Sequence, residues 1–277
     1  MNRAWSPAGL SYRIIGLVSV VFLLFPIVMV VWLSFTPDEF LAEPSFEFSS
    51  RWYEVIFTES RWTDPFLHSV IIAVLSAALS LLVATPAALA LARAEGRRAG
   101  ALTFGVLVPF FMPGLILAVG LLMFETQIHL AGSYLGIALA HTLWGAPIAF
   151  LAIRAVYQGA DYSAEEAARV LGAGPVRAFF LITVPAILPG MAVGALFAFV
   201  ISFNEFLMAL FLTKPSTVTL PVVIWTSLRY EVSPAVAAIS AVFIGLSVIA
   251  AIIALFTVGT RGVVEIGGGK AEGETGV

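Results

Sequence analysis

The sequence predicts an all-α membrane protein with six transmembrane helices, and three observations carry that reading. Of its 277 residues, 60% are apolar and only 11% are charged, less than half the charge of a soluble domain, which is about 25%. The apolar residues form unbroken blocks long enough to cross a bilayer, at about 20 residues per crossing. Those blocks lack the strict alternation of barrel strands. The same composition excludes a disordered chain, a collagen-like fibre and an ordinary cytosolic enzyme. With no cysteine in the chain, disulfides, thiol chemistry and cysteine metal sites are also excluded. A net charge of −3 gives no reason to expect nucleic acid as a partner.

The first block runs from Ile14 to Phe35 and spans about 33 Å at 1.5 Å per residue. That is too long for a signal-peptide core, and Thr36-Pro37-Asp38-Glu39 follows it with no small-residue cleavage site, so a retained anchor is expected. Further spans are predicted at Phe66 to Ala92, Ala101 to Phe124, Tyr134 to Tyr157, Ile187 to Leu212 and Pro234 to Thr260. Residues 1–13 form an amino-terminal tail, 14–260 the six-helix domain, and 261–277 a flexible tail rich in Gly and Glu. Pro86, Pro109, Pro113, Pro147 and Pro189 lie inside spans. Each frees a backbone carbonyl, so these helices should be kinked and packed against protein or a cavity.

Basic residues set the orientation. With the amino terminus inside, Arg3, Arg13, Arg93, Arg97, Arg98, Arg154, Arg169, Arg177, Arg261 and Lys270 are cytoplasmic, and only Arg51, Arg61, Lys214 and Arg229 are outside. Both termini are therefore expected in the cytoplasm. The loop Thr36 to Pro65 faces outward and is acidic, with Asp38, Glu39, Glu43, Glu47, Glu54, Glu59 and Asp64. It either concentrates cations at an entrance or is a solvated loop whose charge follows from topology. Its aromatic residues Phe46, Phe48, Trp52 and Tyr53 suit a membrane surface or a protein partner.

Several chemistries are missing. The two lysines, Lys214 and Lys270, precede Pro215 and Ala271, so neither sits in a phosphate-binding loop. His68, His129 and His141 are far apart and lack metal-ligand spacing. An intramembrane serine hydrolase built on His141 has no G-x-S-x-G turn to present a nucleophile.

The longest cytoplasmic connection, residues 158–186, is more informative. Ser163 and Glu166 have capping-box spacing, which predicts a helix of about two turns starting at Ala164. Gly172 is placed to close it in the left-handed conformation, and Gly174-Pro175 to start another helical turn. One face would carry Ala167, Ala168, Val170 and Leu171, with charge from Glu165, Glu166 and Arg169. Small residues permit another surface to approach closely; packing under its own bundle is the alternative.

Glu166-Ala167-Ala168, three residues, Gly172, nine residues, then Ile182-Thr183-Val184-Pro185 resembles the EAA motif of ATP-binding-cassette importer permeases, with Val184 in place of leucine. The resemblance implies a type I importer permease in a bacterial inner membrane, with this loop as a coupling helix docked on a separate ATPase dimer. Glu165, Glu166, Ala167, Ala168, Leu171, Gly172, Ile182 and Pro185 would form the coupling site. ATP and magnesium would be bound by the partner ATPase, with no cofactor in this chain. A second permease subunit of different sequence and a periplasmic binding protein would complete the assembly.

Ser202-Phe203-Asn204-Glu205, Thr213-Lys214-Pro215-Ser216, Leu220-Pro221, Ser34-Phe35-Thr36 and Arg51-Trp52-Tyr53 look like the spermidine/putrescine branch. That resemblance implies a polyamine cargo with Asn204 and Glu205 on the substrate path, although the branch often has an acid where Asn204 stands. Ferric iron, a phosphonate, thiamine or an opine are the alternative cargoes, and a non-transporting scaffold is the remaining class. Glu205 lies about 27 Å along its helix, where an ionisable group faces a wet cavity or a partner. A structural hydrogen bond or ion pair is its other reading.

Overall fold

A computed structural model describes residues 7–39, 46–92, 94, 96–159, 163–230 and 233–268. The described residues form helices and connections, with no strand. In order these are α1 (Pro7–Leu33), α2 (Arg51–Thr58), α3 (Ser60–Ala92), α4 (Gly96–Phe111), α5 (Gly114–Gln127), α6 (Tyr134–Gln158), α7 (Ser163–Val170) and α8 (Pro175–Ala178). A π-helical segment, Phe179–Thr183, leads into α9 (Val184–Phe203), α10 (Leu207–Leu212), α11 (Leu220–Tyr230) and α12 (Pro234–Gly268).

Among the described residues, four helical stretches are long and apolar enough to cross a membrane: Tyr12–Leu33, Ser60–Ala92, Tyr134–Gln158 and Pro175–Phe203. The block expected as one straight span from Ala101 to Phe124 is instead two helices, α4 and α5, bent by 95° at Met112 and Pro113, and counts as a fifth span if taken as one. Pro113 stands just before α5, where its missing N–H leaves no helical bond unmade. Pro86, Pro109, Pro147 and Pro189 stay inside continuous helices. The block Ile187 to Leu212 also divides, into α9 and α10, at residues 204–206. α12 begins at Pro234 as predicted and runs past Thr260 to Gly268. Glu43 of the acidic loop and the tail beyond Gly268 lie outside the described residues.

The chain forms two compact units. The first contains Met1–Asp64 and Val223–Leu246. Its acidic loop is not wholly irregular: α2 buries Trp52 and Ile56, and the Tyr53 hydroxyl lies 2.7 Å from the Ser34 hydroxyl at the end of α1. The Phe35 and Tyr53 rings meet at 5.0 Å. Phe46 and Phe48 remain exposed beside Trp32. Along α1, the apolar side chains from Ile14 to Phe25 are all exposed.

The second unit contains Pro65–Val222 and Ser247–Val277. Its centre is the pairing of α6 with α9, helped by glycines at the crossing. A Cβ added to Gly190 would lie 3.0 Å from the Ile153 Cα, and one added to Gly145 would lie 3.1 Å from the Ala198 Cβ. Small residues let apolar helices approach closely, which is how helices associate without a hydrophobic driving force. Phe150, Ile153 and Tyr157 of α6 pack with Ala84, Ala88 and Leu91 of α3 and Ile187 of α9. A second cluster joins Ile137 and Ala138 of α6 to Ala118 of α5 and Met208 and Leu212 of α10.

Candidate functional site

Two groups of residues singled out by the sequence lie at opposite ends of α9. At its start is the loop segment. α7 runs over Ser163–Val170, where the two-turn helix is predicted; the side chains of Ser163 and Glu166, which the capping box requires, lie outside the described residues. The end of α7 is a complete Schellman closure. The Gly172 amide donates to the Arg169 carbonyl at 3.0 Å, the Ala173 amide to the Ala168 carbonyl at 2.9 Å, and Gly172 has φ +91°. Gly174 then precedes α8, whose first residue is Pro175.

Glu165 turns inward. Its Oε1 accepts from Arg169 at 2.9 Å, and its Oε2 accepts from the Thr183 hydroxyl at 3.3 Å. It therefore ties α7 to the π-helical segment that leads into α9, and it lines a cleft of about 280 Å³ with Leu89, Ala90, Tyr157, Phe179 and Thr183. The opposite aspect is apolar and open. Val170 and Leu171 are each 87% exposed, and Val176, Phe180 and Leu181 are exposed too. Ala167, Gly172 and Pro185 are exposed, while Ala168 and Ile182 are half-buried. An exposed apolar patch of this kind is a surface for another protein or for lipid.

At the far end of α9, the structure separates two neighbours. Asn204 is exposed, and its amide donates to the Val200 carbonyl at 2.8 Å. Glu205 is buried, and its two oxygens accept from the Met208 and Ala209 amides at 3.1 and 3.0 Å, capping α10. His141 of α6 stands beside it with Nε2 3.5 Å from Glu205 Oε2, and its Nδ1 lies 2.7 Å from the Ser202 hydroxyl. Sequence reasoning noted His141 but did not connect it to Glu205, because the two are 64 positions apart (205 − 141) and meet only through the register of α6 on α9.

Serine, histidine and glutamate are the ingredients of a hydrolase triad, yet this arrangement cannot work as one. Ser202 sits in the last turn of α9 and not on a sharp elbow. It and His141 are buried, and the carboxylate is engaged by the α10 amides. A substrate carbonyl has no approach to the hydroxyl.

The comparison with known proteins decides the class. Residues 80–260 match the family model described as binding-protein-dependent transport system inner membrane component. The chain belongs to this family. It is an ABC importer permease subunit, in a family of transport proteins and not of enzymes. The permease is 30% identical over 239 residues to the putrescine transport system permease protein PotI of Escherichia coli (strain K12), covering 84% of this chain and 85% of that one. It is also 30% identical over 226 residues to the spermidine/putrescine transport system permease protein PotC of Haemophilus influenzae, covering 82% and 88%. A crystal structure of a bacterial ABC transporter involved in alginate import superposes with a TM-score of 0.68 over 96% of this permease, at 17% identity. That last likeness is one of fold.

Proposed function

We propose that this permease carries a polyamine, spermidine or putrescine, across a bacterial inner membrane. The observation that carries the reading is its similarity, over more than four-fifths of its length, to permeases named for those two cargoes. Six crossings with both termini cytoplasmic complete the reading, supported by the skew of basic residues. α7 then faces the cytoplasm and the α9–α10 break lies toward the outside.

In this reading the coupling surface takes up the work of a separate ATPase dimer. Val170, Leu171 and the small side chains of Ala167 and Ala168 enter a cleft on the ATPase; Glu165 passes the motion through Thr183 to α9. Glu166, Gly172, Ile182 and Pro185 complete the segment, and ATP and magnesium stay on the partner. A periplasmic binding protein delivers the cargo, and a second permease supplies the other half of the pathway. Asn204 is on the path, at the carboxyl end of a broken helix, where carbonyl dipoles favour a cation. Glu205 adds a negative charge behind it.

The test is transport by the reconstituted complex. ATP hydrolysis should rise when the binding protein is loaded with putrescine or spermidine, with labelled cargo entering the vesicles. Stimulation by a ferric, phosphonate, thiamine or opine ligand alone would replace the cargo and keep the machine. Glu205→Gln uptake equal to that of the parent would remove Glu205 from the path.

A further inference from the structure

The helical stretch Pro175–Phe203 is longer than a hydrocarbon core requires. Its 29 residues extend about 43 Å at 1.5 Å per residue, against about 30 Å for the core and about 40–45 Å with the headgroup layers. A helix of that length crossing a bilayer keeps its first turn among the headgroups. Arg177 stands in that turn and is exposed. Among the described residues it makes no ion pair or hydrogen bond, whereas Arg169 is held by Glu165.

Below Arg177, exposed apolar positions form one track. Leu181, Pro185, Leu188 and Ala192 follow it at intervals of four, four, three and four residues, the repeat that keeps side chains on one face of a helix. The opposite face is already occupied: Ile187 is buried, and Gly190 and Gly194 lie against the α6 backbone. The track therefore points away from α6. From Leu181 to Ala192 it runs about 16 Å, and one leaflet of the core is about 15 Å deep. At its head, Val176, Arg177, Phe180 and Leu181 border an open groove of about 670 Å³ whose lining is apolar apart from the guanidinium.

A cation in the headgroup layer, an apolar groove beside it and an apolar track one leaflet deep are the complement of a phospholipid. The guanidinium offers paired N–H donors to two phosphate oxygens, the groove takes the glycerol, and the track takes an acyl chain. A soluble anion would use the guanidinium and leave the groove and the track uncovered. Because no carboxylate of the described residues neutralises Arg177, the site favours a lipid whose phosphate charge is not balanced by an ammonium of its own.

We infer that Arg177 and the track below it bind an anionic phospholipid of the leaflet on the α7 side. The inference goes beyond the transport reading and takes from it only that α9 crosses the membrane. Because the permease has no cysteine, a bimane fluorophore can be placed on Leu188→Cys alone. The labelled permease is reconstituted in phosphatidylcholine vesicles containing a fixed fraction of either phosphatidylglycerol or phosphatidylcholine with brominated chains, and quenching gives the relative occupancy of the track. Phosphatidylglycerol should be preferred by about fivefold, the worth of one basic side chain near an anionic surface. Arg177→Gln should bring the ratio to unity, and Arg177→Lys should keep most of it. A ratio of unity in the parent, or a ratio that Arg177→Gln leaves unchanged, would overturn the site. Quenching by neither lipid would overturn it too, and would give the track to a protein neighbour. Excess inorganic phosphate should leave the preference intact; its loss would make the site one for a soluble anion and not for a lipid. The permease is measured without ATPase, binding protein or cargo, so failure here leaves the transport reading untouched.

Discussion

The backbone of Gly194 passes so close to Ala149 that a Cβ added to it would lie 2.9 Å from the Ala149 Cα. Nothing flexible lies between the two helices at that point, so a larger residue must push α9 away from α6. Gly194→Leu should cost about 1–3 kcal/mol by overpacking. The check is a lower thermal midpoint of the purified permease, with Gly105→Leu as a control, since a Cβ there meets nothing within 4 Å.

Gly172 gives a different kind of glycine dependence. A Cβ there also meets nothing within 4 Å, but φ is +91°. A non-glycine residue pays about 1–2 kcal/mol in that conformation, with Asn the mildest replacement. Gly172→Arg should abolish uptake while the protein stays in the membrane at normal abundance, and Gly172→Asn should keep part of the uptake. Full uptake by the arginine variant with normal ATPase stimulation would refute the role given to this turn.

Glu165 and Arg169 separate a surface pair from an anchor. Removing Arg169 loses a half-exposed i, i+4 bridge, worth about 0.3–0.5 kcal/mol. Removing Glu165 also frees the Thr183 hydroxyl and detaches α7 from the helix it leads into. Arg169→Ala should transport nearly as well as the parent; Glu165→Ala should hydrolyse ATP with less cargo moved per turnover. Equal ratios of transport to hydrolysis in the two variants would argue against an anchor.

Ser202→Ala leaves the buried Nδ1 of His141 without its partner, a loss of about 1–3 kcal/mol, read as a lower thermal midpoint. A fluorophosphonate probe should leave Ser202 unlabelled in the folded permease, because neither the hydroxyl nor the imidazole reaches solvent. Stoichiometric labelling of Ser202 would reopen the hydrolase reading.

What was legible in the sequence was local. The start of α6 at Tyr134, the two-turn α7, the left-handed Gly172 and Pro175 at the head of α8 follow from neighbouring residues, and the structure has each of them. α2 was missed because its apolar positions, Trp52 and Ile56, are too few to stand out in an acidic loop. The bend at Pro113 is far sharper than the kink a proline predicts, since sequence marks the freed carbonyl but not the angle at which neighbouring helices receive it. The break after Phe203 was hidden inside an apolar run, because a buried carboxylate takes over the hydrogen bonds that a continuous helix would have made. His141 and Glu205 could be paired only once α6 and α9 were set in register.

The π-helical turn at Phe179–Thr183 joins α8 to α9 without a break in the helix. Such a turn, with i→i+5 bonds, amounts to one residue inserted into an α-helix. The nine-residue interval between Gly172 and Ile182 therefore contains a surplus position. Deleting one residue there would restore an ordinary helix and leave the faces on both sides in phase, whereas a deletion a few residues further along α9 would rotate Gly190, Gly194 and Ser202 together away from α6. The phase of α9 on α6 is thus set in a single turn, inside the segment proposed to receive the ATPase.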